Sequence, residues 1–431
     1  MGWLDWLFKQ PTAEDAAPAQ ATPAPVVKVK GPYTGRQGVV VHAGEGGNGR
    51  YVIDPGVLQQ GSQAVLRFVL TDEMLEEVMH NGSDRPLAVF HRSHGMCDVN
   101  HHLDPDTVNL FIRDVVRRNE RPLDAEHPFL DGSLEDGSRI NVSIPPVSGA
   151  WPNFTIRKFR ATTITMPDLV RFGALTAESA AFLWCGIEGF GHHAANVLVV
   201  GGTGSGKTTL LNALSWFAPM HHRIVVIEDT RELRIPQQNV LRMGTSETVT
   251  MDHLLINALR QRPDRIVVGE VRGPEARTLF TAMNTGHDGC MGTIHANNAR
   301  ESMLRITTAP MNVPLPQVAA LDLVVVQQRR IVDGNARRFC AEITEVSGYS
   351  SDAARLNQLY AWDEFRKGLE ATGVPSRLRT KLCQASGISA DTFNRILTRR
   401  TRLMADLAAR QASEQEVLAA ITEEHARGKS V

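Results

Sequence analysis

The sequence contains no pair of cysteines at C-x-x-C spacing; its five (Cys97, Cys185, Cys290, Cys340, Cys383) lie far apart. That scatter excludes the disulfide framework of a small secreted domain and suits free thiols in a reducing compartment. There is also no run approaching the roughly 20 apolar residues that a membrane-spanning helix requires. Met1–Lys9 has Asp5 inside its apolar stretch and no basic start, so it does not read as a secretory signal. Position 6 is Trp6, so Met1-Gly2 does not open a myristoylation motif. An excess of one charge sign is missing too. The formal net charge of -1 removes a whole-chain field for nucleic acid and leaves only local basic patches open. These absences predict a cytoplasmic protein.

The chain does have the length and apolar content for packed cores. At 431 residues with 42% hydrophobic and 22% charged positions, it reads as a globular protein of two or three domains. Gly2–Phe8 is a short apolar segment holding Trp3 and Trp6, suited to a membrane interface or partner, or to packing on its own protein. The proline- and alanine-rich Pro11–Pro25 reads as an extended linker, so residues 1–30 stand apart from the fold. Residues 31–160 mix predicted strands (Val65–Leu70, Arg139–Ile144, Asn153–Phe159) with predicted helices (Asp72–Met79, Val108–Arg118), which is an α+β amino-terminal domain. Residues 161–174 read as an interdomain linker.

Over residues 175–347 short apolar strands alternate with helices: Asn196–Val200, Arg223–Ile227, Arg265–Val268, Cys290–His295 and Leu321–Gln327. Continuous apolar strands joined by helices predict an α/β fold with a parallel or mostly parallel sheet. Residues 348–431 are predicted helical. Phe393, Ile396, Leu397, Met404 and Leu407 recur at helical spacing, and Ser413 with Glu416 forms a capping box.

The chemistry begins at Gly201-Gly202-Thr203-Gly204-Ser205-Gly206-Lys207-Thr208-Thr209, a G-x-x-x-x-G-K-[ST] loop after a strand and before the amphipathic Leu210–Phe217. Glycines let successive N–H groups converge on a phosphate, and the helix N-terminus adds a positive dipole end. Lys207 brings a point charge to the β/γ oxygens, and the Thr208 hydroxyl is a ligand for Mg²⁺. Downstream, two strands end in carboxylates, at Ile227-Glu228-Asp229-Thr230-Arg231-Glu232-Leu233 and at Gly269-Glu270. Carboxylates at strand ends point to the crevice where a nucleotide sits. Glu270 is the metal-side candidate, beside Thr208, and Glu228 the candidate base for water.

Together with Gly292-Thr293-Ile294-His295-Ala296-Asn297, these segments resemble the secretion ATPase superfamily over about Asp131 to Ser347. Its members are motors of type II and type IV secretion, type IV pili, Tad pili and the archaellum. The order is the family's: P-loop, aspartate box, Walker B segment ending in Gly-Glu, histidine box. The resemblance implies a RecA-like P-loop ATPase domain, preceded by the α+β domain and followed by a helical extension. It implies ATP and Mg²⁺ as cofactors, Glu228 as catalytic glutamate, Glu270 as Walker B glutamate and His295 as the γ-phosphate coupling residue. Arg139 (in Asp136-Gly137-Ser138-Arg139) and Arg157 (in Thr155-Ile156-Arg157) resemble the arginines that bring positive charge to the nucleotide; Arg272 and Arg231 are weaker candidates.

The expected assembly is a homohexamer at the inner face of the cytoplasmic membrane, acting on a polytopic platform protein, with no specific nucleic acid. Leu255–Pro263, Arg305–Gln328 and the tail after Ser347 look most like the archaeal-type and Tad-type pilus assembly branch. A conjugative or type IV secretion motor shares every catalytic motif. A ring helicase shares only the P-loop, and a small-molecule kinase needs an acceptor pocket besides it. His91, His94, Cys97, His101 and His102 offer zinc-type ligands, but at a spacing that matches no common structural zinc pattern.

Overall fold

A computed structural model describes residues 39–43, 49–92, 94–158, 163–246, 248–332, 335–350 and 353–428. The amino-terminal apolar segment and the Pro/Ala-rich run lie outside the described residues. The chain divides into two compact units, Met1–Thr162 and Thr163–Val431.

The first unit is built on an eight-stranded sheet with the order β1-β2-β5-β4-β3-β8-β7-β6. Its strands are β1 (Val39–Ala43), β2 (Gly49–Ile53), β3 (Leu75–His80), β4 (Ala88–His91), β5 (Gly95–Val99), β6 (Phe129–Ser133), β7 (Arg139–Ser143) and β8 (Asn153–Arg157). Helices α1 (Pro55–Leu58), α2 (Ser62–Thr71) and α3 (Pro105–Asn119) accompany it. Tyr51, Val65, Val78, Val89, Ile112, Val142 and Ile156 share its core.

Two segments are opposite to their expected type. Val65–Leu70, predicted as a strand from its apolar density, belongs to helix α2, where Val65, Leu66 and Val69 are buried at helical spacing. Asp72–Met79, predicted as a helix, contains most of strand β3. The register shifts between Leu75 and Glu77, and this bulge brings Leu75 and Val78 inward together, imitating a helical period.

The second unit has nine strands in the order β11-β10-β12-β13-β9-β14-β15-β16-β17. They are β9 (Val197–Gly201), β10 (Ile224–Glu228), β11 (Val240–Gly244), β12 (Arg265–Val268), β13 (Met291–Ile294), β14 (Leu323–Val332), β15 (Asn335–Tyr349), β16 (Ala354–Asp363) and β17 (Gly368–Ala371). Pairing is parallel from β11 to β14 and antiparallel from there to β17. The helices are α4 (Met166–Arg171), α5 (Ala177–Glu188), α6 (Lys207–Ser215), α7 (Met251–Ala258), α8 (Glu275–Asn284), α9 (Ala299–Thr307), α10 (Leu315–Val318), α11 (Arg377–Ser386), α12 (Ala390–Ala409) and α13 (Glu414–Gly428).

The continuous apolar strands follow from burial on both faces. Val197, Val199, Val226 and Val325 pack into one core with Leu183, Leu210 and Leu214. Their neighbours Leu198, Val200, Val225 and Val324 pack into the other with Leu279, Ile294 and Ile306.

The expected boundaries at 174 and 347 are not boundaries of the fold. Residues 163–174 hold α4, opened by a capping box between Thr165 and Asp168, so the linker reading of 161–174 gives way to a helix of the second unit. The sheet continues through Tyr349 and adds β16 and β17, and helix resumes only at Arg377. Trp362 therefore sits on a strand. These outer strands are only partly buried, so they lack the apolar run that marks the inner ones. The Ser413–Glu416 capping box forms as read, with Ser413 N donating to Glu416 Oε2 at 2.8 Å and Glu416 N to Ser413 Oγ at 3.3 Å.

The carboxy-terminal helices are part of the second unit's core. Arg400 is fully buried (0% exposed), with its guanidinium 4.6 Å over the Trp184 ring and paired with Glu188 and Glu424. At the end of the sheet where the central strands β9 and β14 begin, His193 Nδ1 lies 2.7 Å from Asp288 Oδ2, and its Nε2 lies 3.7 Å from Asp322 Oδ2. Lys381 of α11 reaches Asp322 Oδ1 at 3.0 Å, and the Asn196 N–H donates to Asp322 Oδ2 at 2.9 Å.

Burial works against the His193 imidazolium, but the hydrogen bond to Asp288 and the nearby Asp322 carboxylate outweigh it and raise its pKa to about 9. A folded-state value above the unfolded one gives stability that is complete below about pH 6.5 and is lost as pH rises through about 9. Urea unfolding between pH 6 and 10 should show this decline, and His193→Gln should flatten it.

Candidate functional site

The phosphate loop forms because β9 ends against a neighbour that leaves no room for a side chain. A Cβ on Gly201 would lie 2.3 Å from the Gln327 carbonyl oxygen of β14. Gly204 and Gly206 take φ of 69° and 93°, conformations that side chains disfavour, and the chain then enters α6 at Lys207. Ser205 is buried and its hydroxyl donates to the Gly202 carbonyl at 2.8 Å, closing the turn. The first-turn N–H groups of α6, with Thr208 and Thr209 half-buried beside them, have no partners within the helix.

Lys207 is the centre of the site. The residue is 8% exposed, and its ammonium donates to the Gly202 carbonyl at 3.0 Å and to His295 Nδ1 at 3.3 Å. His295 Nε2 lies 2.9 Å from Glu270 Oε1, and Glu270 Oε2 accepts from Arg272 Nη2 at 2.5 Å. Arg272 Nη1 in turn lies 4.0 Å from Asp229. Since an ammonium only donates, His295 Nδ1 is the acceptor and Nε2 carries the proton toward Glu270.

Burial, with Lys207 nearby, holds the His295 pKa below its ordinary value and keeps the ring neutral. Burial also lowers the Lys207 pKa, with Glu270 opposing. For Glu270, burial pulls its pKa up. The hydrogen bond and charge of Arg272, with His295 and Lys207, outweigh this and hold the carboxyl below the usual range.

Glu228 ends β10 on the adjacent strand and is 4% exposed. Its Oε1 accepts the N–H groups of Glu232 and Leu233, each at 2.9 Å, and its Oε2 lies 3.6 Å from Arg242. Burial raises its pKa despite the two N–H bonds, which suits a proton acceptor. Gly269 makes room for it, because a Cβ there would sit 3.1 Å from Glu228 Cγ. Thr293 of the histidine box donates to the Gly269 carbonyl at 2.7 Å, tying β13 to the same point.

The structure thus gathers Gly201–Thr209, Glu270 and His295 into one linked group, with Glu228 one strand away. Arg139 and Arg157 belong to the first unit, where β7 and β8 pair them directly in register. Arg272, a weaker candidate in the sequence, is bonded to Glu270. Arg242 was missed because β11 is short and only half-buried.

The histidine-rich segment is dispersed: Cys97 donates to the Gly95 carbonyl, His101 meets the Ser62 hydroxyl at 2.9 Å, and the His91 and His94 rings lie 4.8 Å apart. Among the described residues no three His, Cys, Asp or Glu side chains group to hold a metal.

A glycine cradle, a buried ammonium, a helix-start threonine and strand-end carboxylates are the donor set that a polyphosphate and its divalent cation require. The chain belongs to the family described as type II/IV secretion system protein, which matches residues 59–427.

Among its relatives, the uncharacterized protein MJ0781 of Methanocaldococcus jannaschii is 49% identical over 240 residues, 54% of this chain. The chain spans about a third (33%) of that relative's length. The probable conjugal transfer protein TrbB of Sinorhizobium fredii is 36% identical over 63% of this chain and 84% of its own. The VirB11 ATPase of the Brucella suis type IV secretion system, solved in complex with sulphate, is 26% identical, with 67% of this chain and 96% of that one covered and a TM-score of 0.35. Among the described residues no helix is long and apolar enough to cross a membrane.

The clamp that Glu228 forms on the Glu232 and Leu233 N–H groups is open to substitution. Glu228→Gln keeps an oxygen for both N–H groups and should leave the melting temperature near wild type. Glu228→Ala strands one buried and one half-buried donor and should cost about 2–4 kcal/mol in chemical denaturation.

Proposed function

We propose that this protein is an ATP-hydrolysing motor that drives transport through a membrane-embedded secretion or conjugation machine. The observation that carries this reading is the connection Lys207–His295–Glu270–Arg272. It joins the phosphate loop to the histidine box and the Walker B segment through contacts of 3.3, 2.9 and 2.5 Å.

In this reading the loop N–H groups and Lys207 hold the β- and γ-phosphates, and the Thr208 hydroxyl and Glu270 hold Mg²⁺. The bound cation would offset the negative charge of the phosphates. Glu228 takes the proton of the attacking water, its raised pKa making it a stronger base than an exposed carboxylate. His295 stands between Lys207 and Glu270, where gain or loss of a γ-phosphate changes the charge on both sides of the ring. Arg139 and Arg157, paired in register on one face of the first unit's sheet, are the arginines that the family resemblance nominates for bringing positive charge to a nucleotide.

The assembly proposed is a homohexamer at the inner face of the cytoplasmic membrane, working on a polytopic platform protein. The likeness to a conjugal transfer protein over most of that protein's length supports export by a conjugation-type machine. Assembly of a type IV pilus-like or Tad-type filament is the second reading, supported by Leu255–Pro263 and Arg305–Gln328.

Lys207→Ala should abolish ATP binding in a fluorescence titration. Glu228→Gln should bind ATP normally and hydrolyse it at least roughly 100-fold more slowly. Steady-state turnover by Glu228→Gln at the wild-type rate contradicts its role as base. Light scattering with a nonhydrolysable ATP analogue should give six times the chain mass.

A further inference from the structure

Strand β14 does not stop where β9 does. It pairs with β9 as far as Gln327 opposite Gly201, then runs on to Val332 as a hairpin with β15. The overhang is rich in arginine, and its register sets Arg329 opposite Arg338 and Arg330 opposite Arg337. Side chains alternate between faces, so the two pairs point opposite ways.

Arg330 and Arg337 are engaged. Arg330 is ion-paired with Glu364 and lies 5.0 Å over the Phe339 ring, and Arg337 lies 5.2 Å over Trp362. Arg329 and Arg338 turn to the phosphate loop. Arg338 Nε donates to the Gly204 carbonyl at 2.8 Å, and its Cδ is 3.6 Å from where a Cβ on Gly206 would sit. A Cβ on Gly204 would begin 3.4 Å from Arg329 Nη1. Both side chains are exposed, and neither has a carboxylate partner among the described residues.

Like charges directly opposite on neighbouring strands repel. Here two such cations stand beside a loop whose N–H groups already favour an anion. With Nε committed to the loop, the terminal nitrogens of Arg338 remain for other acceptors, and a guanidinium edge matches a phosphate in geometry as well as charge.

We propose that Arg329 and Arg338 form a second grip on the phosphate chain of the bound nucleotide, reaching it from the β14–β15 hairpin. This rests on the nucleotide reading of the Lys207 loop. The pair acts by binding phosphate oxygens, and Arg338 also braces Gly204.

The test is the affinity of the full chain for ATP, ADP and AMP with Mg²⁺, by displacement of a fluorescent nucleotide. It compares wild type, Arg329→Gln, Arg338→Gln, both together, both to Lys, and Lys207→Ala. Each glutamine should weaken ATP binding about 10-fold. The double glutamine variant should lose more for ATP than for ADP and least for AMP, and the double lysine variant should recover part of the loss. A merely structural hairpin would instead weaken all three nucleotides alike and lower the melting temperature, which overturns the proposal. ATP affinity of the double glutamine variant within twofold of wild type, while Lys207→Ala loses binding, also overturns it. Wild-type ATP binding by Lys207→Ala removes the nucleotide reading itself, and the proposal with it.

Discussion

Lys207 is buried against the phosphate loop, and a buried cation persists only if polar groups surround it. The Gly202 carbonyl, the His295 ring and, beyond it, the Glu270 carboxylate supply that surrounding. Each partner comes from a different strand end, so satisfying one charge holds β9, β12 and β13 in a fixed relation. Burial alone would favour neutral Lys207 and neutral Glu270. The alternation of cation, imidazole, anion and guanidinium keeps Glu270 ionised in the same space.

Two glycines make this possible for steric reasons. Gly201 lies against the Gln327 carbonyl, and Gly269 lies against the Glu228 side chain, so each marks a close approach that a methyl group would spoil. The site is consequently defined as much by missing side chains as by those present. Glu228 shows a related economy: one carboxylate organises the turn at Glu232 and Leu233 and is kept poorly solvated by doing so.

The α/β core and the phosphate loop were legible in the sequence because their signals are local. Strands buried on both faces appear as apolar runs, and a glycine-lysine turn leaves a fixed spacing. The amino-terminal domain was less so. The bulge at Leu75–Glu77 shifted an alternating pattern into one resembling a helix, and Ser62–Thr71 is apolar enough to imitate a strand. Strands β15 to β17 escaped notice because half-buried antiparallel strands carry mixed residues. The arginines of the β14–β15 overhang have no motif at all. Only the register of a hairpin brings residues nine apart in the chain onto one face, so their meaning depends on pairing that composition does not encode.

Strand β14 has hydrogen-bonded neighbours on both sides, β9 on one and β15 on the other, and it touches Gly201 through its own backbone. The glycine-rich turn and the antiparallel ribbon are therefore a single mechanical piece. Tension applied at the far rim of the ribbon would be felt as a change in the curl of the loop.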